Sequence, residues 1–285
     1  MKYMKLSVGV IALFLTTTLF SYAQHGSLYL THFQENKARG LQNWSIAQDS
    51  SNNMFFANRK GILKYNGETW NLIKTPVMPY TLYFHPDEKR VYLGSDNDIG
   101  YLERDDKGFY NYQSLQTDSA VRGEFINIEH VDSVLYFMST EMIVRYHPDK
   151  PQKTKYWYAG EDKPFTGLIH NDEHVFINRW NEGLHRLQSD TLFQIVSGFW
   201  TKNKEILFSF PYSENRMLIG TDDNKLYLFD GMKFYNYQVE NQSYIEQSIL
   251  SGARNISDRY FALSTLAGGV VIIDKQSRDI EYTIN

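Results

Sequence analysis

The chain contains no cysteine. That absence removes disulfide scaffolds, thiolate zinc sites and thiol nucleophiles together. Proline is scarce, seven in 285 residues, and no long polar tract interrupts the sequence, which excludes an extended linker or a mucin-like stalk. A basic excess is also missing. The 29 Lys and Arg residues face 33 Asp and Glu, so the phosphate-neutralising charge of a nucleic-acid binder is not there. Beyond the first two dozen residues no apolar run is long enough to cross a bilayer. What the chain has in plenty is aromatic surface. Its 21 Tyr, 18 Phe and 5 Trp sit within a 42% hydrophobic composition, enough to offset the entropy of ordering a folded body.

The first 23 residues read as a processing signal. Lys2 and Lys5 precede an apolar run from Leu6 to Phe20, and Ser21-Tyr22-Ala23 places small residues before a cut at Gln24. A positive start, a short apolar core and a small-x-small end describe a secretory signal peptide. Export to the periplasm or beyond is the expected localisation. Cleavage takes Lys2 and Lys5 with it and deepens the acidic excess of the mature chain.

From residue 40 onward short runs of Val, Ile, Leu, Phe and Tyr alternate with Gly, Asn, Asp and Lys turns, an all-β pattern. The runs recur. Phe55-Phe56-Ala57-Asn58 with Gly61-Ile62-Leu63-Lys64-Tyr65 is one copy, and Met217-Leu218-Ile219-Gly220-Thr221 with Leu226-Tyr227-Leu228-Phe229 is another. Aligned turn positions at 61, 100, 142, 183, 225 and 269 give a period of 39–44 residues. Four strands per unit at that period mark the blade of a β-propeller, because one blade cannot bury both its faces and must stack on neighbours. In the first unit Trp44–Gln48 is the expected inner strand, with Met54–Asn58, Ile62–Tyr65 and Thr69–Ile73 following outward. Asn66-Gly67 reads as a two-residue hairpin turn with positive φ at both positions. Six four-stranded blades are expected over 41–79, 80–119, 120–159, 160–201, 202–242 and 243–285. Residues 24–40 form an N-terminal segment in which Ser27–Phe33 is a candidate closing strand, and an incomplete seven-bladed ring is the alternative.

The repeat resembles the two-component regulator propellers, the exported sensor repeats of bacterial signalling receptors. Ile46, Asp49, Gly61, Ile62 and Tyr65 carry the likeness in the first copy, and Leu218, Gly220, Thr221, Leu226 and Phe229 in the fifth. Phe55-Phe56 replaces the Leu-Trp of that pattern, Asn52-Asn53 its first turn glycine, and Met142 the turn glycine of the third copy. The resemblance extends over about 85% of the chain. It implies a non-catalytic, ligand-sensing role with a small molecule or glycan as partner. The transmembrane and output parts of such receptors are absent from this chain, and a second copy of the chain is a further candidate partner. A secreted polysaccharide-acting enzyme and a stand-alone interaction scaffold are the alternatives.

The chemistry-bearing motifs are thin. His170 and His174 stand four apart in a turn, where that spacing does not converge on a metal. Asp96-Asn97-Asp98 opens like a calcium loop but meets Lys107 where the bidentate Glu belongs, so it reads as a solvated turn. There is no nucleophile elbow and no phosphate-cradling loop. No catalytic residue, metal ligand or cofactor is assigned. The outer-strand aromatics Trp70, Tyr110, Tyr112, Trp157, Tyr235 and Tyr237 are expected to pack between blades. Propeller topology brings the turns between second and third strands to the same face as the blade-to-blade loops. On that face the candidate ligand-binding residues are Asn58, Arg59, Asp96, Arg179, Trp180 and Asp222, with Arg179 and Trp180 joining a bidentate donor to a stacking plane.

Overall fold

The computed structural model describes residues 42–115, 121–195 and 200–284. The signal peptide and the closing strand expected over Ser27–Phe33 lie outside the described residues. Six antiparallel four-stranded sheets form a six-bladed propeller, each meandering outward from the centre. Blade 1 is β1 (Asn43–Gln48), β2 (Met54–Asn58), β3 (Gly61–Tyr65) and β4 (Trp70–Ile73). Blade 2 is β5 (Pro79–His85), β6 (Arg90–Ser95), β7 (Asp98–Arg104) and β8 (Tyr110–Ser114). Blade 3 is β9 (Asn127–Val131), β10 (Val134–Met138), β11 (Met142–Tyr146) and β12 (Lys155–Tyr158). Blade 4 is β13 (Phe165–His170), β14 (Val175–Arg179), β15 (Gly183–Gln188) and β16 (Thr191–Gln194). Blade 5 is β17 (Ile206–Ser213), β18 (Arg216–Thr221), β19 (Leu226–Phe229) and β20 (Phe234–Tyr237). After the helix α1 (Gln242–Ser248), blade 6 is β21 (Leu250–Asn255), β22 (Tyr260–Thr265), β23 (Val270–Asp274) and β24 (Ile280–Ile284).

Strand alternation builds the core between blades rather than within them. Phe55, Ala57 and Ile62 of blade 1 pack on Leu82, Val91, Leu93 and Leu102 of blade 2. Phe210, Leu218 and Leu228 of blade 5 meet Phe261, Leu263, Val271 and Ile273 of blade 6 in the same way. Three further clusters join blades 2 to 3, 3 to 4 and 4 to 5. Each fully buried Phe or Leu contributes on the order of 1.5–3 kcal/mol of transfer free energy, so these junctions hold the ring. The outer aromatics Tyr110, Tyr112, Trp157 and Tyr237 join the clusters as expected. Two do not. Trp70 stacks on Tyr65 of its own blade at 4.6 Å, and Tyr235 is exposed, its hydroxyl donating to Asp230 Oδ2 at 2.9 Å.

One buried polar residue stands at or beside the end of the second strand in successive blades. Asn58, Ser95, Ser139, Asn178 and Thr221 are each 0% exposed, and Thr265 takes the sixth place. Most of their side chains satisfy backbone groups of the following turn; Asn178 instead donates to Thr166 Oγ1 and to carbonyls of the connection into blade 5. Ser95 Oγ donates to Asp98 O at 2.8 Å, Lys60 N donates to Asn58 Oδ1 at 3.0 Å, and Thr265 Oγ1 donates to Gly269 O at 3.0 Å. A buried turn would otherwise strand these polar groups.

Two turns and one helix differ from the sequence expectation. In blade 2 the residue opposite Ser95 is Asp98, so Asp98 and not Gly100 is equivalent to Gly61. Gly100 is required for a different reason: a Cβ there would lie 2.4 Å from the Tyr112 ring. Asp98 is no solvated turn residue either, being 8% exposed and accepting from Tyr112 Oη at 2.6 Å and Ser114 Oγ at 2.7 Å. At Asn66-Gly67 only Gly67 has positive φ, +95°. Asn66 Oδ1 instead accepts from the amides of Glu68 and Thr69, forming an Asx turn. The helix α1 is an addition that the strand pattern did not announce. It buries Ile245 and Ser248 and ends at Ile249, a β-branched residue held at φ +59°.

Candidate functional site

The six inner strands enclose a central channel of about 760 Å³. Every blade contributes to its wall, through Trp44 and Ile46 of β1, Tyr80 and Tyr83 of β5, and Asn127 and Glu129 of β9. Thr166 and Leu168 of β13, Phe208 and Ser209 of β17, and Ser251 and Arg254 of β21 complete it. This wall follows from the inner-strand sequences. Alternate residues turn into the blade junctions, and those between them have no packing partner across the axis. Ile46 is accordingly 54% exposed and Trp44 36%. Small residues set the bore. A Cβ at Gly220 would lie 2.2 Å from the Phe208 ring, so glycine is what lets that aromatic lie flat against blade 5.

Hydrogen bonds fix the orientation of one channel face. Turns between second and third strands bond to the loops that lead into the blades: Asp96 N to Met78 O at 3.2 Å, Asn97 N to Gly123 O at 3.0 Å, and Phe165 N to Thr140 O at 2.9 Å. Trp180 N to Pro164 O, Asp222 N to Glu205 O and Leu266 N to Ile249 O continue the series, at 2.9, 3.1 and 2.9 Å. At this end Trp44 meets Tyr80 edge to face, with ring centroids 5.7 Å apart. Tyr80 Oη donates to Glu124 Oε1 at 2.9 Å. Partial burial, then the Glu124 and Asp96 carboxylates, push this phenol up to about 12. It is therefore a neutral donor-acceptor beside an aromatic plane. Hydroxyls of Ser45, Thr81 and Thr140 and the amide of Asn43 lie in the same wall. Such a surface offers an aromatic stacking plane and neutral hydrogen-bonding groups side by side.

The residues singled out from the sequence occupy this face but not the channel wall. Asn58 is fully buried, its Nδ2 donating to Gln42 O and Asn43 Oδ1. Arg59 is exposed at its turn. Asp96 is exposed, its Oδ1 accepting from Asn97 Nδ2 at 2.7 Å. Asp222 Oδ1 accepts from Glu205 N at 3.1 Å. Arg179 Nη1 stands 2.8 Å from Glu182 Oε2, and Lys163 Nζ 2.5 Å from Glu182 Oε1. Lys163, with Arg179 behind it, holds the Glu182 carboxyl below the usual range. Trp180 is half-buried beside this network. The wall residues Trp44 and Tyr80 were not singled out. Their signal was available, since both are aromatic residues at the start of an inner strand, but the repeat hides which alternate position faces the axis.

Among the described residues no set of three or more His, Asp or Glu side chains is placed to hold a metal ion. His170 turns away from His174, its Nε2 lying 3.4 Å from Glu129 Oε2 on the neighbouring blade. No helix among the described residues is long and apolar enough to cross a membrane.

Comparison with known proteins gives the fold and not a family. No protein-family model matches the chain, and no curated protein matches it in sequence. Solved structures do match. The extracellular domain of a B. thetaiotaomicron protein described as a hybrid two-component system aligns at 15% identity and a TM-score of 0.67. That alignment covers 88% of this chain and 36% of the other, so this chain spans about a third of that extracellular domain. Virginiamycin B lyase from Staphylococcus aureus aligns at 12% identity and a TM-score of 0.65, covering 88% of this chain and 86% of the lyase. A chain of the mitotic checkpoint complex aligns at 10% identity and a TM-score of 0.66, covering 92% and 89%. An extracellular signalling-protein domain, an enzyme and an assembly component share the architecture, and at these identities the likeness is one of β-propeller fold alone.

Proposed function

We propose that this chain is a non-catalytic, extracytoplasmic ligand-recognition propeller of a signal-transduction receptor, and that it binds a small molecule or glycan in the central channel. The observation that carries the reading is the channel end at Trp44 and Tyr80. An exposed indole, a phenol held neutral and a set of hydroxyls converge there on space bounded by all six blades. The sensor likeness of the fold and the apolar leader of the sequence agree with it. Recognition would shift blade packing, and parts outside this chain would transmit the change.

The test is a panel of neutral and acidic oligosaccharides, amino acids and small organic acids, screened against the purified chain by intrinsic tryptophan fluorescence and calorimetry. The expected result is a saturable hit whose affinity falls at least tenfold in Trp44→Ala. An equal loss in Trp180→Ala with Trp44→Ala unaffected would move the site to the blade 4 turn. Turnover of any panel member would replace the sensor reading with an enzymatic one.

A further inference from the structure

Three histidines from successive blades meet at the end of the ring opposite Trp44 and Tyr80. His85 closes β5, His130 lies near the end of β9 and His170 closes β13. The His85 and His130 rings cross at 61° with centroids 4.5 Å apart, and Tyr83 lies 5.6 Å from His130 on its own side. His85 is 5% exposed. Its Nδ1 accepts from Glu88 N at 3.4 Å, so its proton sits on Nε2, facing Glu88 Oε1 at 3.7 Å. His170 Nε2 faces Glu129 Oε2 at 3.4 Å. His130 has no such neighbour: its Nε2 is buried without a hydrogen-bond partner. An imidazolium must donate from both ring nitrogens, and this one has nowhere to send the second proton.

We propose that this packet is an acid-responsive joint, in which a proton on His130 opens the contact between blades 2 and 3. The charges around it set the order of events. Blade 2 supplies His85, Asp87, Glu88 and Arg90, blade 3 supplies Glu129, and blade 4 supplies His170 with Asp172. The Glu129 hydrogen bond raises His170, so His170 is already becoming cationic above the ordinary histidine value. Burial lowers His130, and the neighbouring His85 and His170 lower it further, against weaker help from Asp87 and Glu88. The two signs act in separate windows. The stabilisation from His170 grows as pH falls toward about 6.5 and is complete there, whereas the cost of protonating His130 begins at about 6.5 and grows below it. Opening is therefore confined to mildly acidic conditions. Because Tyr83 and Glu129 also line the channel, the joint and the channel wall share side chains.

The experiment follows the imidazole resonances of the intact chain from pH 8 to pH 4.5, together with amide exchange, corrected for intrinsic rates, in β5, β6, β9 and β10. His130 is expected to titrate below about 6.5 and His170 above it. Exchange at the blade 2–3 junction should rise up to tenfold per pH unit below about 6.5, the slope of one proton taken up on opening. His130→Phe keeps an aromatic ring and cannot titrate, so it should flatten that slope. His170→Gln removes the neighbouring cation and should move the His130 midpoint upward. A His130 midpoint at or above the ordinary value, or an unchanged slope in a folded His130→Phe, overturns the proposal. If His130→Phe does not fold, the wild-type midpoints and the His170→Gln shift decide it alone.

Discussion

Replacing Asn178 by alanine should be among the most damaging single changes that removes no hydrophobic contact. The side chain is 0% exposed at the end of β14, and its Nδ2 lies 2.8 Å from Thr166 Oγ1, 2.9 Å from Lys204 O and 3.2 Å from Thr201 O. Two N–H groups are thus shared among three acceptors, two of them carbonyls of the connection into blade 5. Alanine removes all three contacts: Thr201 O keeps the Lys204 amide at 3.3 Å, whereas Lys204 O loses its side-chain donor. At about 1 kcal/mol per lost bond, and about 1–3 kcal/mol where a buried group is left unpaired, the cost is roughly 2–4 kcal/mol. For a domain of this size each kcal/mol lowers Tm by about 2–4 °C, so the melting point should fall by about 5–15 °C. Ser95→Ala is the internal control. Ser95 Oγ donates to Asp98 O within its own turn, and its loss should cost about 1 kcal/mol. Calorimetry and urea unfolding with a fixed m-value would measure both. If Asn178→Ala melts within about 2 °C of wild type, or Ser95→Ala costs as much, the equivalent turn positions are not ranked by the bonds they make.

Gly220→Ala drives a methyl into the Phe208 ring, which stacks on Phe210 at 6.2 Å. Overpacking of this kind should cost about 1–3 kcal/mol in urea unfolding and move Phe208 toward the channel axis. Ile249→Gly should act oppositely. It relieves a β-branched residue at φ +59° that is 48% exposed, and should stabilise the chain by roughly 1 kcal/mol, read as a higher urea midpoint. Burial raises the phenols of Tyr92, Tyr112 and Tyr237, and Tyr80 stands at about 12. A phenol that ionises later in the folded than the unfolded chain stabilises the fold below about pH 10 and loses that contribution as pH rises above it. Absorbance at the phenolate band should therefore show a late-ionising class, and Tyr80→Phe should remove one group from it.

The blade count was readable because every unit repeats one device: a run of alternating apolar residues whose inward set packs on the next blade. Phe55 and Ala57, Leu135 and Phe137, and Leu218 with Gly220 occupy corresponding strands whatever their individual identities. Turn glycines were a poorer guide. Gly61 is needed for its φ of +130°, whereas Gly100 makes room for Tyr112, and the two demands leave the same letter in the sequence. The left-handed residue of the blade 2 turn is Asn97, at φ +54°. The helix α1 escaped for a related reason. Seven residues hold too few turns to show a period, and the N-cap Asn241 makes no side-chain capping bond.

The candidate site was legible in the sequence only as a face of turns, and the reason is physical. Turn side chains on that face are polar because the loops they join have backbone groups to satisfy, so polarity there signals structure before it signals a ligand. Asn58 is spent on β1 and its own turn, Asp222 on Glu205 N, and Arg179 on Glu182 three residues along. Inner-strand residues face the opposite constraint. Their backbones are satisfied by the sheet, and the side chains aimed at the axis have no blade to pack against. Exposure of an apolar group there is a standing cost that packing does not remove, as at Ile46 and Trp44. A ligand that covers the Trp44 indole recovers part of that cost, whereas one that engages Arg179 must first break an ion pair with a partly buried carboxylate. Arg179→Met should accordingly leave channel binding within about twofold, a change of under 0.5 kcal/mol, while Trp44→Ala removes it. A tenfold loss in Arg179→Met with Trp44→Ala intact would place recognition on the turns after all.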